Sequence, residues 1–424
     1  MRGPCAARST GRSAKPVIRS AAMNPQLPLR PVSESQARLL ALARHLAPRF
    51  AARAARHDRD ATLPRENLGE LREAGYLSAA VPVEYGGWGH GLFDVTAAQL
   101  ELARGDGSTA LAVGMHLMTC GTEASARSWP EEARRRILGA VAEEGALINN
   151  IAAEPELGSP RGGGRPRTAL RPEGPGRWRL SGHKTFSTLA PELSYLITYV
   201  AVEDGTGDTG RVAVRGDLPG VRVEETWDAL GMRATASHDV HFDGVPLEDA
   251  DLLTRRPPGE PDPAMMQGGW FPLTVAASYL GVAFSARDEA VRFARERRPS
   301  GYAAPISQIP HVREQVGRMD AALLAARTFL LATAEEWEVR PEGRLALAPQ
   351  VAAAKRFATN GAVEVVDLAM RVAGGVALLR GHPLERHYRD VRGGLVNPPI
   401  EARALEILAR AALDEPGAAG SRWD

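Results

Sequence analysis

Apolar residues recur at three- and four-residue spacing from residue 35 to about residue 145. SQARLLALARHLAPRFAARAARHD predicts one long helix on that period. PRENLGELREAG predicts a second, with Pro64 at its first position and Gly75 at its end. After the loop PVEYGGWGHG, the run LFDVTAAQLELARGDGSTALAVGMHLMTCGTEASA predicts one or two more. WPEEARRRILGAVAEEG adds another, opened by Pro130 and two glutamates. The period changes at about residue 146. ALINNIAAEP, TALRP, RWRLSGHKTFST, LSYLITYVAVE, GRVAVRG, GVRVEETW and HDVHFDGVPL are short strand-like runs separated by Gly, Pro and Asp. No long helical pattern interrupts them, so they predict a compact antiparallel β-domain rather than βαβ units. GRPRTALRPEGPGRWRL predicts a hairpin within it. Beyond the proline-rich RRPPGEPDPAMM, three long helical runs and IEARALEILARAALDE predict an antiparallel bundle. The expected fold class is α+β: a disordered leader (1–34), an N-terminal α-helical domain (35–145), a middle β domain (146–253) and a C-terminal four-helix bundle (254–424).

Composition narrows the function. The 52 basic and 51 acidic residues leave a net charge of +1, which offers no basic footprint for nucleic acid. No apolar run approaches the roughly 20 residues of a membrane helix. Two cysteines, Cys5 and Cys120, cannot build a disulfide framework or a four-ligand zinc site, and a cytoplasmic protein is expected. The Arg-rich, acid-free leader lacks a secretory apolar core and reads as a floppy extension, with Met23 as an alternative start. Only Lys15, Lys184 and Lys355 are lysines, which reads as a coding bias toward arginine.

No Walker P-loop, HExxH, CxxC or GxSxG is present. GSPRGGGRPR is a flexible loop, and RERRPSG by itself is a solvated basic run. Five segments in order, however, resemble the acyl-CoA dehydrogenase superfamily of flavoproteins: VPVEYGGWGHG, AAEPELGSP, LSGHKTFST, GMRATASHDVHFDGVPL and AGGVALLRGHPLERHYRDVR. The resemblance spans residues 36 to 415. It implies FAD bound between the β-domain and the C-terminal helices of two subunits, hence a homodimer or homotetramer. Ser159 matches the serine of the family's Gly-Ser pair, and Phe186 the flavin-stacking Trp. Thr188 matches a Thr, and with Ser187 it would offer hydroxyls to the ring edge. Arg297 and Gln308, eleven residues apart, match a pair that reaches the FAD pyrophosphate or adenosine of a neighbouring subunit. Gly374 and Gly375 match paired glycines beside the dinucleotide, and Arg371 stands where a Gln is usual.

The chain departs from the family where catalysis occurs. The glutamate that removes the α-proton falls on Pro398, and the alternative base position falls near Phe271. Gly269 and Pro272 replace the Asp-x-x-Arg that supports CoA binding. Glu401 lies three residues beyond Pro398, on the next helix. The resemblance therefore implies FAD-dependent α,β-dehydrogenation of an acyl thioester or related substrate first, passing electrons to an acceptor, with His116, Glu154 or a group the motifs do not mark as substitute base. A second implied function is a monooxygenase of secondary metabolism using O₂ and flavin from a reductase, with His116, Ser159 or Asn397 as polar groups. A third is a flavoprotein that has lost catalysis. Asn397 is the one side chain in LVNPP able to hydrogen-bond, and it either orients substrate or starts a turn.

Overall fold

A computed structural model describes residues 33–156, 164–260, 262 and 268–414. The expected leader 1–34 lies outside them except for Ser33 and Glu34. Helix α1 (Glu34–Asp60) starts one residue earlier than its period indicated, because Ser33 and Gln36 close a reciprocal capping box. Helices α2 (Arg65–Glu73), α3 (Leu92–Ala103), α4 (Gly107–Ala126) and α5 (Glu131–Glu144) complete the first domain. The Asp106 carboxylate accepts from Ser108 and Thr109 N–H and starts α4 sharply.

Eight strands follow: β1 (Ile148–Ile151), β2 (Ala169–Gly174), β3 (Arg177–Ser187), β4 (Tyr195–Val202), β5 (Thr209–Arg215), β6 (Val221–Glu224), β7 (His238–Glu248) and β8 (Leu252–Arg256). They form one sheet in the order β6-β7-β3-β2-β4-β5-β8, with β1 beside β4. The expected hairpin is β2–β3, turning at Pro175 and Gly176. The sheet is antiparallel except where β4 meets β1 and β2 in parallel. β8 carries the sheet to Arg256, three residues past the expected domain end, because it pairs with β5 and Arg255 bridges Asp204 and Asp208. Inside the domain, Lys184 Nζ lies 2.7 Å from Glu154 Oε1 and 2.7 Å from the Tyr199 carbonyl.

Helices α6 (Trp270–Glu296), α7 (Pro310–Val339) and α8 (Ala348–Ala373) form the bundle, with α11 (Glu401–Leu413) packed on α8. Short α9 (Pro383–Asp390) and α10 (Gly393–Val396) lie between. α6 is buried along most of its length, since it packs on α3 and α4 as well as on α7 and α8. Gly121 and Gly281 allow this approach. A Cβ on Gly281 would strike the Leu100 carbonyl, and one on Gly121 the Trp270 ring. No helix among the described residues is long and apolar enough to cross a membrane.

The three domains meet at α9. The Arg389 guanidinium holds the Asp58 carboxylate on α1 at 2.5 and 2.9 Å, and donates to the Leu230 carbonyl of the β-domain at 3.0 Å. Asp390 accepts from Met232 N–H at 2.7 Å. Burial pushes the Asp390 carboxyl up to about 7, against the pull of the Met232 N–H. An acid with a raised folded pKa keeps its proton where the unfolded chain, near 3.9, has lost it. Its contribution to stability is therefore complete below about pH 4 and is lost as pH rises through 7. Asp390→Asn keeps the acceptor for Met232 and removes the titration. Denaturant unfolding from pH 4 to 7 should fall less steeply with pH in this variant than in the wild type. Identical slopes would show that Asp390 is not the group responsible.

Candidate active site

β3 ends in an irregular stretch that turns Phe186 outward. Phe186 takes a left-handed backbone, φ 53°, and stands 68% exposed, with its ring edge-on to Trp227 at 5.8 Å between centroids. A bulky residue at positive φ is strained, and such strain gathers at functional sites. Behind it, Thr188 Oγ1 and Ser237 Oγ are 2.8 Å apart, and Ser237 continues to Thr235 Oγ1 at 2.8 Å. Thr235 Oγ1 donates to the Met232 carbonyl, which also accepts from Trp227 Nε1. The buried Ser187 hydroxyl finds no partner among the described residues. Ser159 lies outside the described residues.

Arg297 ends α6. Its carbonyl accepts from Ile306 N–H at 2.9 Å, which folds the following loop back and brings Gln308 onto the same exposed turn. The Arg297 guanidinium has no ion pair among the described residues. Arg371, at the end of α8, is likewise exposed and unpaired, and it lines a hollow of about 430 Å³ with Asp367, Met370, Leu378 and Tyr388. Gly374 (φ 68°) and Gly375 follow it, and a Cβ on either would meet nothing within 4 Å. A larger hollow, about 680 Å³, lies between α5 and the β-domain and contains none of the candidate residues.

The turn after α10 is held from two helices. Tyr279 on α6 donates its hydroxyl to Asn397 Oδ1 at 2.6 Å. Lys355 on α8 donates to the carbonyls of Gly394 (2.8 Å) and Asn397 (2.7 Å). Burial lowers the Lys355 ammonium to about 8 and raises the Tyr279 phenol. Asn397 thus has its side chain and its carbonyl both fixed, beside Pro398.

The two substitute bases are engaged elsewhere. His116 is fully buried. Its Nε2 donates to the Leu77 carbonyl at 2.8 Å and its Nδ1 accepts from Ile148 N–H at 3.1 Å. Those partners fix a neutral tautomer, and burial lowers its pKa to about 4. His116 therefore pins α4 to β1 and has no nitrogen left for a substrate. Glu154 accepts from Lys184, Arg167 N–H and Thr168 N–H, which hold its carboxyl below the usual range despite burial. Glu401 pairs with Arg356. Three contributors were not singled out from sequence: Trp227, Tyr279 and Lys355. A lone Trp in a strand-to-loop run was the only signal for the first, Lys355 stood out only as one of three lysines, and Tyr279 gave none.

A β-sheet domain set between two helical domains, with an exposed aromatic where β3 ends, defines the class of protein. The chain belongs to the acyl-CoA dehydrogenase family: that family's N-terminal domain matches residues 33–145, its middle domain residues 150–245 and its C-terminal domain residues 265–396. It is 40% identical over 375 residues to the putative acyl-CoA dehydrogenase YdbM of Bacillus subtilis, covering 87% of this chain and 95% of that protein. It is 33% identical to L-evernosamine nitrososynthase of a Micromonospora species, covering 91% of each. The solved structure of KijD3 in complex with FMN and dTDP-3-amino-2,3,6-trideoxy-4-keto-3-methyl-D-glucose superimposes with a TM-score of 0.80 at 30% identity, covering 91% of this chain and 95% of that one.

The Tyr279–Asn397 contact gives a direct test. Asn397→Ala leaves a buried phenol without its acceptor and should cost about 1–3 kcal/mol. Adding Tyr279→Phe removes the orphaned hydroxyl, so the double variant should lose less than the sum of the two single changes. Strictly additive losses in urea denaturation would mean that the two groups do not interact.

Proposed function

We propose that this protein is a flavin-dependent monooxygenase of a small molecule. The carrying observation is that His116, Glu154 and Glu401 are each committed to other partners, and that Pro398, which the sequence resemblance sets at the family's base position, carries no acid. The sequence put α,β-dehydrogenation first. That reaction needs an acceptor for the α-proton, and no candidate base is free to be one. Oxygenation needs none. The relatives at 30–33% identity with an amino sugar in their names support the same reading.

The residues present fit a flavin nucleotide. Phe186 offers an exposed ring face, Ser187 an unpartnered hydroxyl and Thr188 the end of a hydroxyl chain. Arg297 and Arg371 are unpaired cations suited to phosphate, and Gly374 and Gly375 leave room for backbone approach. A bound flavin would supply the electrons that O₂ chemistry requires. The chain's own residues orient and exclude. Asn397, fixed by Tyr279 and Lys355, presents its amide nitrogen to a substrate oxygen or nitrogen. Pro398 offers no N–H and no side-chain acid. Arg297 and Gln308, at the adenosine half of the family's site, favour FAD, and in this reading a second subunit completes the site, as a homodimer or homotetramer.

The discriminating experiment supplies the flavin-loaded protein with two regimes. With a flavin reductase, NADH and O₂, it should incorporate ¹⁸O from ¹⁸O₂ into a dTDP-amino sugar. Under anaerobic conditions, butyryl-CoA should leave its flavin oxidised. Anaerobic bleaching by butyryl-CoA would instead support the dehydrogenase reading, which the 40% identity to YdbM favours. Arg297→Ala should weaken FAD retention by about ten- to a hundredfold, from loss of a charge-assisted contact worth about 1.5–3 kcal/mol, and leave FMN retention unchanged.

A further inference from the structure

Between the first and last domains, one buried cluster carries polar atoms that the fold leaves unsatisfied. α3 supplies Thr96 and Gln99, three residues apart and so on one face, and α6 supplies Thr274. Their exposures are 0%, 0% and 1%. Both amide atoms of Gln99 and the hydroxyls of Thr96 and Thr274 have no hydrogen-bond partner among the described residues. Gly114 on α4 marks where two of them converge: a Cβ there would stand 3.2 Å from Gln99 Nε2 and 3.2 Å from Thr274 Cγ2. Two helices, α3 and α6, thus bring neutral polar side chains against the bare backbone of a third at Gly114. Native interiors rarely leave such groups unpaired, because each forfeits its hydration without return. Thr274 lies one turn along α6 from Phe271, and Tyr279, which holds Asn397, is five residues further on.

We propose that Gln99, Thr96 and Thr274 form a recognition site for a neutral hydrogen-bonding group, a hydroxyl, at the buried end of the small-molecule substrate. The amide offers donors and an acceptor, and each hydroxyl offers both. None of the three carries charge, so a carboxylate or ammonium would lie there without a counter-ion. A hydrocarbon tail would leave all four polar atoms unpaired. The cluster therefore selects a hydroxylated substrate over a fatty acyl one. This specificity rests on the oxygenase reading only in naming the molecule as that enzyme's substrate.

Ligand-observed NMR on the flavin-loaded protein tests it with two ring fragments that differ by one hydroxyl, tetrahydropyran-4-ol and tetrahydropyran. The alcohol should bind at least about tenfold tighter, one well-made hydrogen bond being worth about that factor. Gln99→Leu should abolish the difference while flavin occupancy and tetrahydropyran affinity hold. Thr274→Val, a milder change, should reduce it. Binding of neither fragment, equal affinities, or a preference that survives both substitutions would overturn the proposal; the last would mean that the amide is satisfied within the fold or by water. The titration involves neither O₂ nor turnover. Failure of ¹⁸O incorporation with the preference intact would sink the oxygenase reading alone, and the converse would sink only the recognition site.

Discussion

Two adjacent side chains on an eight-residue helix hold the three domains in register. Arg389 grips Asp58 of the first helix through a paired contact and reaches a β-domain carbonyl, and Asp390 takes the N–H of Met232. A bidentate guanidinium–carboxylate pair fixes orientation as well as distance. The Met232 carbonyl then accepts from Trp227 and Thr235, and Thr235 leads through Ser237 to Thr188. The exposed ring of Phe186 and the hydroxyls behind it are therefore referenced to the same point that joins the helical domains. A cofactor site assembled between domains needs such a reference, because a shift of about 1 Å is enough to spoil catalysis.

Buried cations do a second positioning job. Both described lysines are buried, at 0% and 2% exposure, in a chain whose other cations are nearly all arginine. The coding bias inferred from composition accounts for the arginines and not for these two. Lys184 reaches a carboxylate and a carbonyl inside the sheet, and Lys355 reaches two carbonyls at the end of α10. A slender stem with a compact ammonium suits these narrow positions, where a planar five-donor guanidinium would leave donors unpaired. Lys355 thereby sets the turn that carries Asn397 and Pro398.

The molecule keeps the family's scaffold. The sequence resemblance sets the family's catalytic carboxylate at Pro398, and both His116 and Glu154 are engaged by other partners. The polar cluster at Gln99 is the counterpart we propose on the substrate side. In the proposed reading, the absence of a free proton acceptor and the buried hydrogen-bonding groups fit one substrate, hydroxylated and oxidised without α-proton removal.

Fold class and domain order were legible because they follow from period: 3.6 in the outer segments, 2 in the middle. The family was legible from five short motifs, and the missing base from one residue, Pro398. The sequence also marked Phe186, Arg297, Gln308 and Asn397 as residues of interest. It could not tell a free side chain from an engaged one. His116, a lone histidine on an apolar helix, read equally well as a catalytic group and as a satisfied core residue, and its two backbone hydrogen bonds decide for the second. The roles of Tyr279 and Lys355 gave no signal, since their partners lie 118 and about 40 positions away along the chain. Gln99 and Thr274 belong to different domains and meet only because α6 packs into α3 and α4. Hydrophobic period is a local property that the chain states directly. Whether a polar atom is satisfied depends on which distant groups packing brings within about 3 Å, and only the folded chain decides that.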